Sequence, residues 1–543
     1  MKATSDTNIR ALKIASTTTN FNHVLANIVN SSFANGVFPA ELKTAKVVPI
    51  HKGGSKTDVS NYRPISLLST FSKIFEKAMH KRVYDFLQQN GSLNEHQYGF
   101  RKGRSCEHAL LVAQNELLSA LNKKQIAMLI LIDFSKAFDM VNHDILLHKL
   151  NNYGIRGIAS EWFKSYLKNR YQYVCIDGKF SNTQKMKYGV PQGSILGPLL
   201  FIIYINDLPN ICSLVKFILY ADDANIIITA DSLSEIEAIY NQLSHALVGW
   251  VGNNELLLNA KKTNYMIFTR SRNLPLHSFT PKMGGVPIER KSVAKFLGVL
   301  VDDKLSWKQH IKAVKSKMSR YVGTLYKLKH ILPLRARLLT FNSLVQSHIN
   351  YCSLVWGCTN KSKIDILFTT QKKALRAVMP GWINYFYKDG VCPSHTKQGF
   401  TEHFILTVQN IILMNIMILL NKVHMFPHML PSSVREIFHP DSPSPITQID
   451  HTSDWYATYN ATPYNTSVLF KGPMLYTELM TDNDKIINEN VNSFKNKVKS
   501  YLHYVQCSGN ETEWSPENFK LYHIAGLRRS ARIRTQPAVN YSD

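Results

Sequence analysis

The chain has 543 residues, enough for two or more domains with their own cores, and its 45% hydrophobic and 11% aromatic content excludes a disordered polymer. Its 64 Lys and Arg against 38 Asp and Glu leave a formal charge of +26, which favours a polyanionic partner, nucleic acid or an anionic membrane surface, over a merely soluble basic protein. Seven cysteines without framework spacing argue against a disulfide-stapled scaffold, and no early apolar run follows a basic start, so a signal peptide is not expected.

Residues 1–36 read as a polar, weakly helical lead-in. KTAKVVPIHKGG then forms a short strand closed by a glycine turn, and Ile74, Ala78, Val83 and Leu87 recur at near-helical spacing. QYGFRKGRS (97–105) is a basic, glycine-bearing loop that leads into another helix. IAMLILIDFSKAFD (126–139) is rich in strand formers and reads as a buried strand ending at Asp133, with a helix beginning near Ser135. Strands then alternate with helices to about Val301, the pattern of an α+β domain with a mostly antiparallel sheet. Beyond 304, Trp307, Ile311, Val314, Met318, Tyr321, Leu325 and Leu328 form one apolar helical stripe. Ten Lys or Arg and no acidic residue lie between Lys304 and Arg337, with Lys308, Lys312 and Lys315 on the exposed face, so the run is either a solvated face or a track for a phosphate backbone. IILMNIMILL (411–420) contains Asn415, is too short to span a bilayer and reads as a buried helix. Cys392-x-x-His395 with His403 lacks the further ligands of a zinc knuckle. Residues 439–455 read as a Pro/Ser-rich linker, 491–502 as a last helix and RRSARIRTQP as a disordered basic tail.

The chemistry lies in the carboxylates. FILYADDANIIIT (217–229) reads as an antiparallel hairpin with Ala221, Asp222 and Asp223 at its tight connection. Aspartate at a turn is by itself ordinary turn chemistry. Asp133 also ends a buried strand, however, and if the strands are neighbours the three carboxylates converge and repel one another unless cations neutralise them. Oxygen ligands suit Mg²⁺ (Mn²⁺ as a substitute), and two such ions suit nucleotidyl transfer. Lys52 and Arg63 are candidate clamps on triphosphate oxygens, or simply surface cations. In GVPQGSILGP (189–198), Gln192 is placed to hydrogen-bond a nucleotide and Gly193 to let the backbone approach a base pair.

IDFSKAFD, GVPQGSILGP and YADD, in that order, resemble motifs A, B and C of reverse transcriptases, and the similarity is strongest to the polymerases of non-LTR (LINE-type) retrotransposons. VVPIHKGG, NYRPISLLSTFSKIFEK and QYGFRKGRS resemble their fingers motifs and the loop that follows. LLLNAKKTNYMIF (256–268) is similar to motif D and KFLGVLVDDKLSW (295–307) to motif E and the start of the thumb, while HINYCSLVWG, LFKGPMLYTEL and VNSFKNKVKSYL look like C-terminal landmarks. The resemblance, over about 37–503, implies a right-hand α+β polymerase with fingers, an antiparallel palm sheet and a helical thumb, followed by a mainly helical C-terminal region. The expected divisions are 1–36 lead-in, 37–301 fingers and palm, 302–438 thumb and connection, and 439–543 C-terminal region with the basic tail.

The resemblance further implies that Asp133, Asp222 and Asp223 hold two metals, that Phe138 is the steric gate against a 2′-OH, and that Lys262 (Lys261 is the rival) donates a proton to pyrophosphate. Phe296, Leu297 and Gly298 fall at the primer grip, Lys52, Arg63, Phe138, Gln192 and Gly193 at the dNTP site, and Arg101, Lys308, Lys312 and Lys315 along the nucleic acid. Asp139 and Asp144 read as structural. The implied partners are an RNA template, a DNA primer, dNTPs and the element RNA as a ribonucleoprotein, with no membrane and with a nuclear and cytoplasmic location. No acidic/His set suited to a nuclease is evident, so target nicking is expected from an endonuclease supplied elsewhere. A fragment of a longer reading frame, an RNA-dependent RNA polymerase, and a catalytically silent RNA-binding or maturase-like protein remain alternatives.

Overall fold

The computed structural model describes residues 19–271, 279–379, 397–438 and 490–508. The chain is a mixed α+β protein built around Ile126–Ile132 (β3). This strand pairs antiparallel on one side with Asp223–Ala230 (β8) and on the other with Asn264–Phe268 (β9). Lys216–Tyr220 (β7) closes one edge of the sheet and Glu289–Arg290 (β10) the other. A near-continuous aliphatic run suits a strand covered on both faces, because successive side chains point to opposite sides. Ala127 and Leu129 accordingly enter one core, shared with helix Cys106–Asn122 and the C-terminal helices. Met128, Ile130 and Ile132 enter a second core, shared with helices Leu196–Tyr204 and Leu233–Asn253. Two cores, one on each face, hold the end of this sheet where the acidic residues emerge.

A second sheet lies earlier in the chain. Thr44–His51 (β1) pairs antiparallel with Tyr62–Leu67 (β2), matching Ile50 to Arg63, and parallel with Tyr171–Ile176 (β4), which continues into Lys179–Phe180 (β5) and Gln184–Lys185 (β6). Ser66 N–H in β2 donates to the Gln192 carbonyl at 2.8 Å, so this sheet is joined to the 189–198 loop.

After β9 and β10, Val293–Phe296 (β11) and Val299–Asp302 (β12) form a hairpin. The Asp302 carboxylate accepts from Ser306 N (2.9 Å) and Trp307 N (2.8 Å), tying the strand end to the start of helix Lys308–Leu328. Trp307, Ile311, Val314, Met318 and Leu325 of the expected stripe are buried; Tyr321 is half-buried. Val408–Met425 is, among the described residues, the one helix long and apolar enough to cross a membrane, and most of it is buried within the protein. Its Asn415 donates to Ser353 Oγ at 2.8 Å, which accounts for an amide in an otherwise apolar run.

The helix expected near Ser135 begins instead at His143. Lys136 takes a left-handed conformation (φ 50°) and Ala137–Asp139 makes a single 3₁₀ turn. Tertiary bonds set this path: Val190 N donates to Phe138 O (3.0 Å) and Gly189 N to Val141 O (2.8 Å). Asn142 then caps the helix, accepting from Asp144 N and Ile145 N. Cys392, His395, the 439–455 segment, LFKGPMLYTEL and the arginine tail lie outside the described residues.

Candidate active site

Tyr220 pairs with Asp223, so Ala221 and Asp222 form a two-residue hairpin loop. Ile132 pairs with Ala224, which brings Asp133, the next residue along β3, up to this loop. Asp133, remote in sequence, is thus brought to the same sheet end as the adjacent pair Asp222 and Asp223. Ala221 has φ 55°, a region that a residue with a Cβ enters only at a free-energy cost. Gln97, 2% exposed, holds the strained turn: its Oε1 accepts from Ala221 N (3.0 Å) and from Gly99 N (2.8 Å). Tyr98 N donates to Leu219 O and Leu219 N to His96 O, so the QYG segment lies along the hairpin like an added strand. A Cβ on Gly99 would stand 2.4 Å from Ala221 N, so this position admits only glycine.

Asp222 and Asp223 both reach solvent, yet the protein around them disfavours charge. Burial, and to a smaller degree the Asp133 charge, push the Asp222 carboxyl up from its ordinary range, with its own backbone N–H and then Arg63 opposing. Asp223 is pushed up to about 6 by burial and then by Asp222 and Asp133, with Lys295 opposing. Arg63 comes from β2 of the other sheet and Lys295 from β11, so the acidic tip faces cations from two directions. Among the described residues no three acidic, His or Cys side chains stand together as a ready-made metal cage. The donor set nevertheless fits a hard divalent cation: it offers carboxylate oxygens whose mutual repulsion a cation relieves, and Mg²⁺ takes one or two carboxylates and completes its shell with water and substrate phosphate.

Phe138 stacks on Phe201 (centroids 4.4 Å apart) and meets Phe100 edge-on, while remaining only half-buried. Gln192 Nε2 donates to Asp139 Oδ1 at 2.9 Å, so Asp139 fixes this amide. At Gly193 (φ 131°) a Cβ would stand 2.5 Å from Ser66 O, so within the fold glycine is required by the approach to β2. Lys52 is exposed in the loop after β1, where its charge faces Asp58. Lys261 and Lys262 are both exposed beside buried Thr263, whose hydroxyl accepts from Asp133 N at 3.3 Å.

Of the three residues expected at a primer grip, Phe296 is buried in the core, and Leu297 (φ 44°) with Gly298 (φ 85°) forms the turn of the β11–β12 hairpin. Lys308, Lys312 and Lys315 are all exposed on their helix. The reading of Arg101 needs correction. It is 6% exposed and donates to the carbonyls of Leu93 (3.2 Å) and Asn94 (2.6 Å) and to Gln88 Oε1 (3.1 Å), so its guanidinium braces the 93–105 loop and has no face free for phosphate.

Gln97, Lys295 and Glu76 also serve this site, although no motif singles them out. Glu76 is fully buried and accepts from Ile195 N (2.6 Å), Leu196 N (3.4 Å) and Ser72 Oγ (2.9 Å), at the positive end of helix Leu196–Tyr204. Burial raises its carboxyl, and these donors oppose the shift. Nothing in the local pattern of FSKIFEK separates Glu76 from an exposed helical acid. The local pattern QYG likewise gives no sign of the distant Ala221 N that Gln97 holds.

Residues 50–301 match the family model described as reverse transcriptase (RNA-dependent DNA polymerase), so the chain carries a reverse transcriptase domain. The chain is 31% identical over 371 residues to the "Probable RNA-directed DNA polymerase from transposon BS" of Drosophila melanogaster, covering 65% of this chain and 40% of that one. It is 29% identical over 370 residues to the "RNA-directed DNA polymerase from mobile element jockey" of the same species, covering 65% and 39%. Within its family the domain is therefore related to the polymerases of non-LTR retrotransposons, and the chain spans about 40% of the length of these relatives. Among solved structures, apo telomerase from Candida tropicalis is similar at 12% identity over 73% of this chain and 68% of that one, with a TM-score of 0.39.

Proposed function

We propose that this chain is the RNA-directed DNA polymerase of a non-LTR retrotransposon, adding dNTPs to a DNA 3′-OH opposite an RNA template. The observation that carries the reading is the convergence of Asp133, Asp222 and Asp223 at one sheet end, where burial first and then the neighbouring carboxylates leave the last two reluctant to ionise. In this reading the β1–β2–β4 sheet with Arg63 is the fingers, the β3-centred sheet the palm, and the Lys308–Leu328 helix the start of the thumb. Asp133 and Asp222 hold the divalent cations and Asp223 adds charge. When bound, these cations supply Lewis acidity to the attacking and leaving oxygens.

The remaining steps belong to side chains. Arg63 draws the triphosphate toward the carboxylates, and Lys52 extends that attraction from the fingers loop. Phe138, backed by Phe201, presents a rigid ring to the sugar and so excludes a 2′-OH. Gln192, its nitrogen held by Asp139, offers the rest of its amide to the nucleotide. Lys262 stands as proton donor to the departing pyrophosphate. Lys308, Lys312 and Lys315 follow the backbone of the hybrid. The partners are the template RNA, the primer, dNTPs and the element RNA.

The test is primer extension on poly(rA)/oligo(dT) with Mg²⁺ or Mn²⁺, comparing the wild type with Asp222→Asn/Asp223→Asn. The reading expects extension by the wild type and a loss of about 10³-fold or more in the variant. A wild type that binds RNA and incorporates nothing would overturn it in favour of a silent RNA-binding protein.

A further inference from the structure

The motif HINYCSLVWG (348–357) has no part in the chemistry above, although the structure ties it to both working hairpins. Tyr351 Oη donates to the carbonyl of Leu297 at 2.7 Å, at the tip of the β11–β12 hairpin. A Cβ on Gly298 would lie 3.2 Å from both the ring and the hydroxyl of Tyr351, so the ring lies flush against this turn. The turn has positive φ at both positions, as a two-residue hairpin of this type requires, but its first position holds leucine rather than Asn or Gly. A hydroxyl bonded to the carbonyl of that same leucine holds the conformation that the side chain disfavours.

The segment carrying Tyr351 is anchored throughout. Trp356 Nε1 donates to Tyr351 O at 2.9 Å, and the Trp356 side chain is fully buried. Leu354 N donates to Glu107 Oε1 and Gln114 Nε2 to Val355 O, both at 3.2 Å. These contacts fasten the segment to helix Cys106–Asn122, which continues directly from the 97–105 loop whose Gln97 holds Ala221. A continuous run of hydrogen-bonded structure therefore joins the acidic hairpin to the Leu297–Gly298 turn. Tyr351 itself is 43% exposed, and its hydroxyl also lies beside the thiols of Cys106 and Cys352.

We infer that Tyr351 is a positioning residue: it fixes the Leu297–Gly298 turn relative to the Asp222 hairpin and so sets where the primer's 3′ end lies. The assignment rests on the polymerase reading above and gives the 348–357 motif a role in it.

The experiment uses the full chain in single-turnover extension of oligo(dT) on poly(rA), measuring maximal rate, apparent dTTP affinity and Tm for the wild type and Tyr351→Phe. The expected result is a fall of roughly five-fold in maximal rate, the factor that one neutral hydrogen bond is worth, with dTTP affinity and Tm unchanged. In a Leu297→Gly background, where the turn needs no support, the same change should lower the rate less than two-fold. An unchanged rate in Tyr351→Phe, a Tm that falls together with the rate, or an equal loss in both backgrounds would each overturn the assignment while leaving the polymerase reading intact. A wild type that incorporates nothing overturns both.

Discussion

Two hairpins of this molecule solve the same backbone problem in different ways. Each closes with a two-residue loop whose first residue is not glycine yet lies at positive φ, Ala221 in one and Leu297 in the other. Each is held there by a side chain from a remote segment. Gln97 is buried and accepts two backbone N–H groups, so the acidic hairpin is clamped from inside the fold. Tyr351 is partly exposed and donates one bond to a carbonyl. The residues that carry charge are thus held more firmly than the turn proposed to touch the primer, as expected if the carboxylates must be preorganised while the primer end advances after each addition.

Removing the stronger clamp should have the largest effect. Gln97→Ala leaves two buried N–H groups without an acceptor, each worth about 1–3 kcal/mol. Extension should fall by about ten- to a hundred-fold and Tm should drop, whereas Gln97→Glu, which keeps an acceptor, should restore Tm toward wild type. Thermal unfolding beside single-turnover kinetics checks this, and wild-type behaviour of Gln97→Ala would break the contrast between the hairpins. Next in size is the gate. Phe138→Ala should relax discrimination between dTTP and UTP by about ten-fold or more, measured as the ratio of incorporation efficiencies. Unchanged discrimination removes the gate assignment and reopens an RNA-polymerase reading.

The smallest effect concerns protonation. The Asp223 carboxyl is raised to about 6 in the folded chain, so between roughly pH 4 and 6 the folded state holds more protons than the unfolded one. The sign follows: without divalent ions, this group makes stability fall as pH rises through that window. Asp223→Asn should flatten the slope and raise Tm at pH 7 by about 1–2 °C, a modest gain because the side chain reaches solvent. Added Mg²⁺ should stabilise the wild type more than the variant. A variant less stable than wild type at pH 7 without metal would contradict the electrostatic account of the tip.

Much of this site was legible in the sequence because strand ends are local facts. An apolar run that stops at Asp133, and two such runs flanking Ala221-Asp222-Asp223, fix both the strands and the end from which the carboxylates emerge. The stripe from Trp307 to Leu325 was legible for the same reason, since its period repeats over several turns. What was missed depends on segments far apart in the chain. Lys136 breaks the expected helix because Val190 and Gly189 claim the carbonyls of Phe138 and Val141. Arg101 read as a nucleic-acid contact because a basic loop looks exposed until its carbonyl partners at 93 and 94 are in place. No local pattern announces that β2 passes 2.5 Å from the missing side chain of Gly193. Gln97 and Tyr351 carry no periodic signature, since each acts on one atom of a distant turn.

The most direct measurement is a double-mutant cycle on single-turnover dTTP incorporation with Asp133→Asn, Asp222→Asn and the pair. If the two carboxylates serve one shared centre, each single change removes most of the rate and the pair removes scarcely more than the worse single, as for residues that act as a unit. Full incorporation by Asp133→Asn, or losses that multiply as if the residues were independent, would contradict the account.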